Sequence, residues 1–301
     1  MQMKPSILLH TKFLVPRPTP DLLPRPHLVE WLEYQIDRRL ILISAPAGYG
    51  KTTILADFLN ASNHPFAWYQ LDANDSDPTV FLTYLIEAMR RMKDAPATVT
   101  NAIGQAAQSL LNSSETSVSP LRVLTVLINE LTEQLEDVWL LVLEDYHYVT
   151  NPVVHQLVDF LLENAPSGMR LVISTRADPP IALARLRARG LLAELRSSSL
   201  RFRDKEVKAW LEQNLPELST DSLNLLREKT EGWVAALQII RSSLSGKAPQ
   251  ERDEVLASLS GTQQFVFEYL AEEVFRQLSD ETREFLLRTS ILSQMDAELE
   301  R

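Results

Sequence analysis

The segment Ala45-Pro46-Ala47-Gly48-Tyr49-Gly50-Lys51-Thr52, with Thr53 behind it, restricts what this chain can fold into more than any other. An apolar run at 40–43 precedes it and a helical pattern over 51–61 follows. Strand, glycine loop and helix in that order form a phosphate-binding P-loop, with Ala45 where the first Gly is usual. Gly48 and Gly50 permit a tight loop whose backbone N–H groups converge on phosphate oxygens. The helix opening at Lys51 adds the positive end of its dipole. Lys51 would reach the β- and γ-phosphates, Thr52 would offer its hydroxyl to Mg2+, and Tyr49 and Thr53 belong to the same binding segment. The plainer reading is a glycine turn that happens to carry Lys-Thr; the flanking strand and helix favour the P-loop.

A chain of 301 residues has room for two or three domains with ample core. The formal net charge of −10 argues against non-specific DNA binding, which needs a basic surface. Without cysteine there is neither a disulfide nor a thiolate metal site, which suits a reducing cytosol. Residues 1–10 lack the apolar stretch of a signal peptide, and the longest apolar run, 138–143, is too short for a bilayer. A cytoplasmic protein with no membrane partner is expected.

Along the chain, the prolines at 16, 18, 20, 24 and 26 predict an extended arm whose Phe13, Leu14, Val15, Leu22 and Leu23 pack on the domain. A helix over 27–34 leads to the P-loop. Strands are expected at 66–72, 138–143, 170–174 and 191–195. Between them, helices open at Asp77-Pro78, Ser119-Pro120 and Asn151-Pro152, and another spans 179–189 up to Gly190. The weakly patterned 94–118 reads as one short helix and a loop. Strands alternating with helices predict a parallel sheet covered on both faces. After 203 the pattern is helical only: 204–214, 219–229, 232–244, 262–278 and 279–288, the last with Ser279 as N-cap, interrupted by a polar boundary at 245–252.

Glu144-Asp145 ends the buried strand, at the sheet edge where open α/β folds bind ligands. One acid can hold Mg2+ and the other can orient or deprotonate an attacking water, in either order; a pair of exposed acids is the alternative. Arg176, after Ser174-Thr175, would lie at the same edge, as a γ-phosphate sensor or as half of a surface ion pair. His147 is either a structural donor or a phosphate-sensing group. Arg185, Arg187 and Arg189 form no single stripe and read as solvated or ion-paired. Trp210 and Trp233 read as core.

Taken together these features resemble the N-terminal ATPase part of the MalT-like transcription activators, the large ATP-binding LuxR-type regulators among the STAND signalling ATPases. The resemblance rests on Thr11-Lys12-Phe13 with Pro16, Leu23-Pro24-Arg25-Pro26, the P-loop, the stretch 68–72 and Leu143-Glu144-Asp145-Tyr146-His147. It continues through Ser174-Thr175-Arg176, the run 183–190, Glu231-Gly232-Trp233-Val234-Ala235-Ala236-Leu237-Gln238 and the run 285–292. It implies an α/β P-loop NTPase with a parallel sheet, then an all-helical domain and the start of a winged-helix domain. The corresponding divisions are an arm at 1–30, a nucleotide-binding domain at 31–200, a helical domain at 201–248 and a partial winged-helix domain at 249–301. It also implies a slow ATPase switch, resting with ADP and active with ATP, that self-associates when an inducer is sensed. Lys51 and Thr52 then serve phosphate and Mg2+, Arg176 the γ-phosphate, and Arg25 lies in the arm near the nucleotide. Glu144 departs from the family's Asp-Asp, and Trp233 and Val234 follow Gly232 where related proteins often have a nucleotide-contacting Pro. Inducer and DNA would be bound by regions outside 1–301, so the chain is expected to be a piece of a longer protein. A metabolic P-loop kinase or other phosphotransferase and a non-hydrolysing nucleotide-binding scaffold are the alternative readings.

Overall fold

The computed structural model describes residues 8–17, 22–113, 118–248, 251–253, 256 and 280–289. Contacts divide the chain into two compact units, Met1–Arg201 and Phe202–Arg301. The first holds five strands, β1 (Leu40–Ser44), β2 (Phe66–Gln70), β3 (Trp139–Glu144), β4 (Met169–Thr175) and β5 (Leu192–Arg196). They form one sheet in the order β2-β3-β4-β1-β5, with every neighbouring pair parallel. Helix α1 (Pro26–Tyr34) precedes the sheet; parallel strands need crossovers, and these are the helices α2 (Lys51–Ala61), α3 (Pro78–Arg90), α4 (Ala97–Ala102), α5 (Gln105–Leu111), α6 (Pro120–Gln134), α7 (Pro152–Asn164) and α8 (Leu183–Ala188).

The two-residue period of a strand sends alternate side chains to opposite faces. Leu40 and Leu42 of β1, with Tyr69, Leu141, Leu143, Leu171 and Ile173, enter a core shared with α3, α5, α6 and α7. Ile41 and Ile43, with Trp68, Leu140, Val142 and Val172, enter a second core under α1 and α2. Both faces are buried, which is why the strands read as unbroken apolar runs. Helix starts follow local chemistry: Asp77 Oδ1 accepts from the N–H groups of Thr79 and Val80 at 2.8 and 3.0 Å, and Asn151 Oδ1 from Val153 at 2.9 Å.

Two stretches differ from the sequence-based expectation. Residues 94–118 contain two helices, α4 and α5, joined through Gly104 at φ +72°. The N–H groups of Ala106 and Ala107 donate to Glu130 of α6, a cap supplied from a distant segment. The helix expected over 179–189 is only α8, because Pro180 forces the residue before it out of the helical region. Asp159 Oδ1 instead accepts the Ala182 N–H at 2.8 Å.

The arm opens with a single 3-10 turn, His10–Phe13, and then packs as expected, although Leu14 is exposed and Pro18 and Pro20 lie outside the described residues. Phe13 joins one core and Val15 lies against the other. Lys12 is the anchor. Its Nζ lies 2.5 Å from Asp75 Oδ2 and 2.9 Å from Asp72 Oδ2, and 4.6 Å over the Tyr84 ring. Asp75 is fully buried and also accepts from Tyr69 Oη at 2.7 Å and from the Asp72 N–H at 2.6 Å. At the far end of the first unit is a four-residue helix, α9 (Ser197–Leu200).

The second unit contains α10 (Asp204–Asn214), α11 (Thr220–Thr230) and α12 (Val234–Leu244), packed through Val207, Trp210, Leu211, Leu226, Leu237 and Ile240. Trp210 is core as expected, whereas Trp233, at the N-cap of α12, is only half-buried. Gly232 has φ +76°, and a Cβ there would stand 2.1 Å from the Phe202 carbonyl oxygen, so only glycine fits. A further helix, Asp280–Thr289, is described; the expected helix at 262–278 and Ser279 lie outside the described residues.

Candidate functional site

The carboxyl edge of the sheet gathers the residues that the sequence singled out. β1 ends at Ser44 and the chain turns through Gly48 and Gly50, both left-handed at φ +78° and +76°, into α2. Gly50 is the N-cap of α2, so Lys51, Thr52 and Thr53 form its first turn, where backbone N–H groups lack helical partners. Lys51 is buried and its ammonium donates to the carbonyls of Ala45 at 2.8 Å and Pro46 at 3.1 Å. An ammonium has three N–H donors, so these two bonds fix it inside the loop without exhausting it. Burial lowers the Lys51 pKa, Arg176 adds to that, and Glu144 and Asp145 oppose it. Tyr49 packs against the core beneath α1 and α2.

Strand order decides what faces this loop. β4 lies between β1 and β3, so Arg176, at the end of β4, stands between the P-loop and the acids that end β3. Ser174 and Thr175 are themselves part of β4 and fully buried. Glu144 is the last residue of β3, has no exposed surface, and accepts a hydrogen bond from the Thr52 hydroxyl through Oε1. Its other oxygen, Oε2, has no hydrogen-bond partner, and neither does Ser174 Oγ nor either ring nitrogen of His147. Buried polar atoms normally find partners, and here four without one sit at a single sheet edge.

The acids differ in environment. Burial pushes Glu144 up to about 7, with the Asp145 charge adding and the Thr52 hydroxyl and Lys51 charge opposing. Asp145 leaves the strand in the left-handed region at φ +59°, is partly exposed, and receives the Gln70 amide at 3.4 Å. Burial first, then the charges of Arg176 and Lys51, depress His147 to about 4, so its ring is neutral near pH 7. The Arg25 guanidinium donates to the carbonyls of Leu200 at 2.6 Å, Arg201 at 3.2 Å and Ser199 at 3.4 Å, in the segment that follows β5, the neighbour of the P-loop strand. Of the arginines after 180, Arg187 is paired with both oxygens of Glu194 at 2.9 Å, and Arg185 with Glu163. Sequence reasoning misses Gln70 and Tyr148, whose ring packs tilted against His147 at 4.3 Å between centroids. A polar residue ending an apolar strand was the available signal for Gln70.

Among the described residues no three His, Cys, Asp or Glu side chains gather into a metal cage. The Thr52 hydroxyl with the Glu144 carboxylate is an oxygen pair of the kind Mg2+ takes when phosphates supply further ligands. The Glu144 shift has a sign that can be tested. The folded state holds the proton more tightly than the unfolded one, so this group's contribution is fully present below about pH 4.5 and is lost as pH rises through about 7. Glu144→Gln is therefore expected to stabilise the ligand-free protein by on the order of 2–3 kcal/mol at pH 8 and to leave it nearly unchanged at pH 4. Urea denaturation at both pH values checks this, and equal pH dependence in the two proteins contradicts the buried-acid assignment.

Comparisons with known proteins agree with this architecture. Residues 271–300 match the model of the MalT winged helix domain. The chain is 32% identical over 281 residues to the HTH-type transcriptional regulator MalT of Vibrio parahaemolyticus, covering 91% of this chain and 30% of that protein. It is 34% identical over 276 residues to MalT of Serratia proteamaculans, covering 90% and 29%. The chain thus spans about three-tenths of the length of these curated relatives. Among solved structures, a Walker-type ATPase of Pyrococcus abyssi superposes with a TM-score of 0.50 at 14% identity, over 85% of this chain and 77% of that one, and so shares the fold. Among the described residues no helix is long and apolar enough to cross a membrane. Over nine-tenths of its length the chain is MalT-like, a P-loop ATPase fold running into the MalT winged helix.

Proposed function

We propose that this chain is the ATP/ADP-binding switch of a MalT-like transcription regulator, a slow cytoplasmic ATPase that governs inducer-dependent self-association. The observation that carries the reading is the meeting of the P-loop with the end of β3, where the Thr52 hydroxyl reaches a fully buried Glu144. In this reading the loop amides between Gly48 and Lys51, with the Lys51 ammonium, hold the phosphates. Thr52 and Glu144 hold Mg2+, which when bound neutralises phosphate charge. Arg176, between the loop and the acids, stabilises charge on the terminal phosphate, and Asp145 acts on the water side. Thr53 and Tyr49 shape the loop. Arg25, engaged with residues 199–201, belongs in this reading to the arm segment near the nucleotide. Inducer and DNA would be handled by parts of the regulator beyond the three-tenths spanned here.

The test is chemical. The protein should release ADP when denatured after purification and should turn over ATP slowly with no acceptor present. Fast acceptor-dependent ADP formation would indicate a kinase instead, and binding without turnover a scaffold.

A further inference from the structure

A buried ring nitrogen without a partner forfeits its hydration with nothing in return, so folded chains seldom keep two on one ring unless a ligand or water uses them. His147 keeps two: neither Nδ1 nor Nε2 is hydrogen-bonded, and neither atom is reached by solvent. The ring is held firmly. It packs against the Tyr148 ring in a tilted arrangement, and the turn Tyr146–Tyr148 is closed by the Tyr148 N–H on the Asp145 carbonyl at 3.1 Å. The Ser76 hydroxyl donates to the Tyr148 carbonyl at 3.3 Å, tying the turn to the 3-10 turn Ala73–Ser76 that follows β2. Nδ1 lies 3.9 Å from Asp145 Oδ1, just outside hydrogen-bond reach, a gap of the kind that closes when a site fills. The charges of Lys51 and Arg176 act on the same ring.

A neutral imidazole has one N–H and one lone pair. Asp145 can only accept, so it selects the tautomer with hydrogen on Nδ1 and leaves the lone pair on Nε2. A lone pair repels phosphate oxygens but accepts the O–H of a water. We propose that His147 positions the water that attacks the terminal phosphate, with Asp145 orienting the ring. This rests on the ATPase reading above and assigns the water-side role within it. In the step, the water oxygen bonds to the γ-phosphorus while the bond from that phosphorus to the β-bridging oxygen breaks. ADP leaves, and the water's proton departs with the inorganic phosphate; the imidazole holds the water and keeps no proton.

The experiment measures ADP and ATP affinity by calorimetry, and single-turnover hydrolysis, in the unaltered chain, His147→Ala and His147→Gln. The expected result is hydrolysis slowed roughly 10–100-fold in His147→Ala. Both affinities should stay within about twofold, and His147→Gln, which keeps an acceptor oxygen, should be closer to the parent. A selective loss of ATP affinity would mean that the ring touches phosphate, and would overturn the proposal. So would equal loss of both affinities, which marks a packing role, or unchanged hydrolysis. A parent chain that binds no nucleotide defeats the ATPase reading itself, an outcome separate from these.

Discussion

Lys51→Ala is expected to weaken ATP and ADP binding by roughly 2–5 kcal/mol, some thirtyfold to several-thousandfold. The buried ammonium is held by two loop carbonyls, with its pKa lowered by burial and by Arg176. An arriving polyphosphate offsets both unfavourable influences, since it supplies negative charge beside an ammonium already placed inside the loop. Alanine removes that charge and also leaves the Ala45 and Pro46 carbonyls without their donor, so a smaller loss of stability should accompany the loss of affinity. Calorimetry with both nucleotides decides the matter. Affinity equal to the parent's would mean that the loop between 45 and 52 does not bind phosphate.

The second large effect lies at the anchor of the arm. Asp75→Ala should destabilise the protein by about 3–5 kcal/mol, because it removes the buried carboxylate partner of the Lys12 ammonium, leaving it only the part-exposed Asp72, and takes the acceptor from the Tyr69 hydroxyl. The double change Lys12→Met with Asp75→Leu should recover much of that loss, since a buried pair replaced whole is far less harmful than a pair cut in half. Urea denaturation gives the numbers, and limited proteolysis near residue 17 reports whether the arm has come away. A loss under about 1 kcal/mol for Asp75→Ala would show that the arm is held by apolar contact instead.

The sequence carried what depends on neighbours along the chain. The P-loop, the apolar strands and the Asp77 and Asn151 caps are short-range patterns, and each falls within a residue or two of its expected place. Features made by distant partners were not visible. Lys12 and Asp75 are 63 positions apart, and nothing in either segment names the other. Glu144 and Asp145 look equivalent as adjacent acids; the end of β3 buries one against Thr52 and turns the other aside through a left-handed residue. The insertion of β4 between β1 and β3 follows from the order in which crossovers pack, which local patterning does not encode. The three carbonyl acceptors of Arg25 belong to a segment 174 to 176 positions away, which nothing around Arg25 in the sequence announces.

That last arrangement has a practical consequence. One guanidinium clasps the start of α1 to the final residues of the first unit, so the unit's entry and exit are buckled together. A piece closed in this way is suited to being lifted out and transplanted whole between 8 and 201. A version trimmed to begin at the P-loop strand would surrender the buckle and leave the exit unfastened.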